Sequence, residues 1–151
     1  LNDLLVANTH QYQPSRYRLK RDADDNNGAI DLEQRSSGLL FSTFLGQGAW
    51  FRHICVIEGM KFDPEQIEDH YLFVARDLPR DERSEDGSYF AWTNQPTIIH
   101  SDMHRGYCVP DGWDEWHFTR GATVTISIDG PKLQLLTFRQ RIVDKLAHWL
   151  E

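Results

Sequence analysis

Apolar and polar residues alternate with a period of two through much of this chain, the pattern of strands with one buried face. Arg16, Arg18 and Lys20 fall on one side, and Tyr17 and Leu19 on the other. The alternation resumes over Ala29–Glu33, after the polar run Asp22–Gly28. Together these stretches predict a hairpin with a long polar tip. Leu4, Leu5 and Val6 anchor a short segment ahead of it. Leu39–Leu45 and Ala49–Ile57 are apolar runs on either side of Gly46-Gln47-Gly48. Their Phe, Trp, Val and Ile content predicts two strands joined by a short bulged hairpin. Tyr89–Thr93, Thr97–Val109, Glu115–Thr119 and Thr123–Asp129 share this β-type composition.

Two stretches predict helices. Asp63 is a good N-cap, Pro64 suits the first helical position, and Gln66 stands where a capping-box partner would. This predicts a helix over Pro64–Tyr71. Near the C-terminus Ile142, Val143, Leu146, Trp149 and Leu150 recur at helical spacing, with Asp144, Lys145 and His148 on the other side. The expected fold class is therefore α+β. A mainly antiparallel, hairpin-rich sheet would be covered by the short capped helix near 64–71 and a C-terminal amphipathic helix from about 138 to 150.

The 151 residues fit a single compact domain, 1–151, with enough aromatic residues to fill a core. A net charge of −7 disfavours nucleic acid as a general partner and suits a basic protein partner. A homo-oligomer is compatible with the same surface. No apolar run reaches transmembrane length, so a membrane role is not expected. Cys55 and Cys108 lie in apolar segments and read as small buried thiols. The default compartment is the cytoplasm.

Three constellations could carry chemistry. In His100-Ser101-Asp102-Met103-His104 an extended backbone puts His100, Asp102 and His104 on one face. Two imidazoles and a carboxylate suit a divalent transition metal. Alternate strand residues lie about 6.5–7 Å apart, so three in a row do not converge on one ion. A pair could, with His117 supplying a ligand from elsewhere. Asp22–Glu33 resembles an EF-hand calcium loop, with Asp22, Asp24, Asn26 and Glu33 at oxygen-ligand positions. The turn glycine is replaced by Asn27, and the flanks are poor helices. Asp, Asn and Gly are also ordinary hairpin-tip residues. Third, Asp111, Trp113, Asp114, Glu115 and Trp116 set three carboxylates among two indoles, a composition suited to an interface.

No nucleophile-elbow or P-loop pattern is present. Charge and composition therefore favour a small soluble protein–protein interaction module, acting through its acidic and aromatic surface. Inhibitors, immunity-type proteins and regulatory adaptors are of this kind. The alternative is a small metal-dependent hydrolase or oxygenase built on the His/Asp/His cluster.

Overall fold

In the computed structural model, residues 1–43, 46, 49–58, 69–84 and 86–131 are described. The strands are β1 (Asp3–Asn8), β2 (Ser15–Arg21), β3 (Ile30–Ser36), β4 (Leu39–Thr43), β5 (Tyr71–Ala75), β6 (Phe90–Thr93), β7 (Thr97–Ser101), β8 (Gly106–Pro110), β9 (Trp116–His117) and β10 (Thr123–Ile126). One α-helix, α1 (Ala49–Glu58), and a 3-10 turn at Arg80–Glu82 complete the described elements. The strands form a six-stranded sheet, in order β6-β5-β4-β1-β8-β9, and a four-stranded sheet, in order β10-β7-β2-β3. All pairings among them are antiparallel.

The two sheets pack face to face. Leu4, Val6, Leu39, Phe41 and Phe73 from the larger sheet share one cluster with Tyr17, Leu19, Ile30 and Ile99 from the smaller. Full burial of each such side chain stabilises the fold by about 1.5–3 kcal/mol. A second cluster lies on the far side of the larger sheet. There Leu40, Leu72, Val74 and Trp92 meet Phe51, with Ile54 partly buried beside it. Strand β4 thus sends Leu39 and Phe41 into the sandwich and Leu40 to the helix side.

The hairpin expected from the first alternation is present. β2 and β3 pair over their whole length, from Ser15↔Ser36 to Arg21↔Ile30. The inward side chains are Tyr17, Leu19 and Gln34, and the outward ones are Arg16, Arg18 and Arg35. Thr97–Val109 is not one strand. It divides at Asp102–Arg105 into β7 and β8, which belong to different sheets.

The α+β expectation is corrected to an antiparallel β-sandwich with one short helix among the described residues. Ala49–Ile57, expected as a strand, is helical because β4 has no free edge to offer it. Both edges of β4 are occupied, by β1 and β5. The run instead places Phe51 and Ile54, three residues apart, on the sheet. Residues 64–68 of the predicted capped helix lie outside the described residues, and Tyr71, its expected end, opens β5. The C-terminal helix near 138–150 also lies outside them. No helix among the described residues is long and apolar enough to cross a membrane.

Phe51 is fully buried where α1 meets the sheet. Phe51→Ala is expected to destabilise the protein by about 3–5 kcal/mol, read from the urea midpoint. A loss below about 1 kcal/mol would be incompatible with α1 covering this face.

Candidate functional site

Asn2 and Asp3 enter the larger sheet beside the residues where the chain leaves it. Asp3 is opposite Ser42 in the β1–β4 register. Both Thr43 N–H (3.0 Å) and the Ser42 hydroxyl (3.3 Å) donate to the Asn2 carbonyl. Gly46 N–H then donates to the Thr43 carbonyl at 3.0 Å. The Gly46 backbone presses so closely on Asn2 that a Cβ there would overlap the Asn2 carbonyl. Only glycine lets the chain cross this point toward α1.

Asp111 closes the corner from the turn after β8. It holds a left-handed backbone, φ 48°, which Asp tolerates better than most residues. Its Oδ1 accepts the N–H groups of Asn2 (2.6 Å) and Asp3 (3.0 Å). Its own N–H donates to the Asp3 carbonyl at 3.0 Å. Burial and the negative charge of Asp111 push the Asp3 carboxyl above the usual carboxylate range. The corner therefore brings together two carboxylates, a threonine hydroxyl and a glycine-bearing strand-to-helix connection. Carboxylates of this kind accept hydrogen bonds from hydroxyl groups, and one with a raised pKa can also take a proton. Among these residues only Asp111 and the glycines are singled out by sequence. Asn2, Asp3 and Thr43 become visible only through non-local pairing.

A second polar cluster lies at the same end of the larger sheet, where Thr43 is opposite Tyr71 and Tyr71 opposite Thr93. Asp24 Oδ1 accepts the Asn26 and Asn27 N–H groups and the Asn27 amide, at 2.7–2.9 Å. Its Oδ2 accepts the Thr93 hydroxyl at 2.6 Å. Burial alone would raise this carboxyl. The donors outweigh burial and hold it below the usual range. Next to it Arg21 is only 3% exposed. Its guanidinium lies 5.2 Å over the Phe73 ring and donates from Nη2 to the Gly87 carbonyl at 3.1 Å. A Cβ on Gly87, at φ 86°, would meet that Nη2 at 2.5 Å, so glycine is required for the loop to close here. Tyr71 spans the cluster's edge, its hydroxyl bonded to Thr97 Oγ1 at 2.5 Å and the Gln95 carbonyl at 2.7 Å. Burial raises this phenol to about 12.

The predicted metal ligands are not brought together. Ile99, Ser101 and Met103 are buried, while His100 stands on β7 and Asp102 and His104 lie in the break between β7 and β8, so the three do not share one strand face. His100 Nδ1 bonds the Thr123 hydroxyl at 2.8 Å, and Asp102 pairs with Arg120 at 2.8 Å. His104 is exposed. His117 belongs to the other sheet, where it lies 4.9 Å from the Tyr107 ring. Among the described residues no group of His, Cys, Asp and Glu is arranged to hold a metal ion. In the calcium-like loop Asp24 is engaged by its own loop and Thr93, Asp22 and Asn26 are exposed, and Glu33 lies within β3. Trp113 and Trp116 are 77% and 61% exposed, and Asp114 and Glu115 are exposed beside them, while Asp111 belongs to the corner. Cys108 is a free, buried thiol that burial raises to about 11, an inert state rather than a nucleophilic one.

No family model and no curated protein matches the chain in sequence. Its fold is similar to that of an NAD kinase from Archaeoglobus fulgidus in complex with ATP. That match has a TM-score of 0.60 and 14% identity, and covers 84% of this chain and 44% of the other. It is also similar to yeast NADH kinase complexed with NADH, with a TM-score of 0.58, 12% identity, and 82% and 33% coverage. The chain thus spans less than half the length of either kinase. The likeness overturns both functional expectations from the sequence. These two structures that share the sandwich are an NAD kinase and an NADH kinase, not inhibitors or adaptors, and not metal-dependent hydrolases or oxygenases.

The two carboxylates predict opposite pH behaviour. The Asp24 pKa is lowered on folding, so its stabilisation is present above the ordinary value of 3.8 and is lost as pH falls through the lowered one. Asp24→Asn should cost about 1–2 kcal/mol at pH 7 and flatten the acid limb of a stability–pH curve. The Asp3 pKa is raised, so its ionised form is disfavoured in the fold, and wild type loses stability as pH rises from 3.8 through the raised value. Asp3→Asn should remove that loss. Equal acid limbs in wild type and Asp24→Asn would contradict the Asp24 assignment.

Proposed function

We propose that this chain is the β-sandwich part of an NAD(H) kinase-type phosphotransferase, and that the Asn2/Asp3/Thr43/Gly46/Asp111 corner binds a hydroxyl-bearing portion of the dinucleotide. The observation that carries this is the fold shared with two kinases, one solved with ATP and one with NADH, over more than four-fifths of the chain. The corner's chemistry supports it. A kinase must orient an acceptor hydroxyl and take its proton, since the transferred phosphoryl group itself asks for positioning and charge stabilisation. Asp3, pushed up by burial and by Asp111, has the character of a hydroxyl partner. Two carboxylates would repel phosphate, so the ribose and not the pyrophosphate is the portion assigned here. This chain covers only 44% and 33% of the matched kinases, so the share of the reaction assigned to it is dinucleotide binding. A cytoplasmic setting accords with the free buried thiol of Cys108.

Calorimetric titration with NADH, NAD⁺ and ATP tests the proposal. A dinucleotide is expected to bind, and at a hundredfold excess over its Kd to stabilise the protein by about 2.7 kcal/mol. Asp3→Ala should weaken that binding by about tenfold or more while leaving the fold intact. Absence of binding by NADH and NAD⁺ to wild-type protein would remove this function. Binding unaffected by Asp3→Ala and Asp111→Ala would move it away from the corner.

A further inference from the structure

The outer face of the four-stranded sheet carries a groove of about 450 Å³, floored by β2 and flanked by β3 and β7. Arg16 and Arg35 lie directly opposite each other across the β2–β3 pair. Both are exposed, and neither has a carboxylate partner among the described residues. Like charges placed opposite one another in a sheet destabilise it, so this pair is unfavourable as it stands. The nearby Asp31 and Asp102 do not relieve it. Arg18 and Lys20 both bond Asp31, at 2.6 and 3.2 Å, and Asp102 is taken by Arg120. Two planar guanidinium groups facing one space form a fork for a phosphate, which accepts two parallel N–H bonds from each.

The rest of the groove is not simply basic. Glu33, one alternation along β3 from Arg35, and Glu82, from the 3-10 turn, line the same space as carboxylates. His100 lines it as well, its Nδ1 fixed on the Thr123 hydroxyl. Carboxylates accept hydrogen bonds from hydroxyl groups and repel phosphate. A ligand with an anionic end and a polyhydroxylated body satisfies both halves, whereas a bare anion satisfies only the arginines. The volume also lies in the range of small-molecule sites.

We propose that this groove is a second ligand site, distinct from the Asn2/Asp3 corner and independent of the kinase assignment. It would take a phosphomonoester carried on a polyol, the chemistry shared by a sugar phosphate and a nucleoside monophosphate. Arg16 and Arg35 hold the phosphate, and Glu33 and Glu82 receive the hydroxyl groups.

Titration of the full chain with ribose 5-phosphate, AMP, inorganic phosphate and ribose tests the site. Ribose 5-phosphate or AMP should bind at least about tenfold more tightly than phosphate or ribose alone, and the tighter of the two identifies the source. Arg16→Ala and Arg35→Ala should each weaken the phosphoester about tenfold or more, and Arg16→Lys should restore only part of it. Glu33→Gln with Glu82→Gln should lower the preference for phosphoester over inorganic phosphate. Asp3→Ala should leave this binding unchanged whether or not dinucleotide binding is lost. None of these side chains is buried, so the variants are expected to fold, which thermal melting confirms. Equal affinity for phosphate and phosphoester, no binding of either, or indifference to both arginine substitutions would overturn the site.

Discussion

Strands β4 and β5 have no solvent face, and the rest of the sandwich is arranged around that. Leu39, Leu40 and Phe41 of β4, and every residue of β5, are buried. Each strand therefore needs cover on two sides. The smaller sheet supplies one layer through Tyr17, Leu19 and Ile99, and α1 supplies the other through Phe51. Edge pairing is saturated too, since β4 is bonded along both sides. The chain leaving β4 cannot turn back as a further strand. It crosses over Asn2 at Gly46 and returns as a helix, while the β1–β8 pairing brings Asp111 to Asp3 beside that crossing.

What is legible in the sequence follows from how local each signal is. The in–out alternation of Arg16–Lys20 and Ala29–Glu33 is fixed by residues two apart, and the β2–β3 hairpin has that register. Ala49–Ile57 is ambiguous for a physical reason. A short, largely apolar run has no periodicity that separates a buried strand from a helix, and β-type composition points the wrong way. The edges already filled on β4 decide the matter, and they are set by strands elsewhere in the chain. The candidate corner is hidden for the same reason, because Asp3 and Asp111 lie 108 residues apart. The His100/Asp102/His104 run alternates with buried residues. Those residues, Ile99, Ser101 and Met103, show that the spacing serves the core.

The two polar surfaces differ in how they are built. The corner depends on main-chain geometry: Asn2, Thr43, Gly46 and Asp111 are tied by backbone donors and acceptors, so its shape is set once the sheet forms. The groove depends on side chains standing on a formed sheet, where Arg16 and Arg35 hold their opposition only through strand register. The first is costly to alter without disturbing the fold. The second can be altered residue by residue. The net charge of −7 gives no hint of the groove, because a whole-chain sum does not show where two arginines stand opposite each other.

The place of β1 in the larger sheet has a consequence for how the chain reaches this structure. β1 lies between β4 and β8, with Val6 opposite both Leu39 and Cys108. The first strand of the sandwich is therefore an interior one, and its second edge stays open until β8 has been made. Such distant closure must be reached before its contacts stabilise anything, which places this topology among the slower folders. During synthesis β1 emerges well before β8, and until β8 seals it its open edge is the place where wrong pairing can begin.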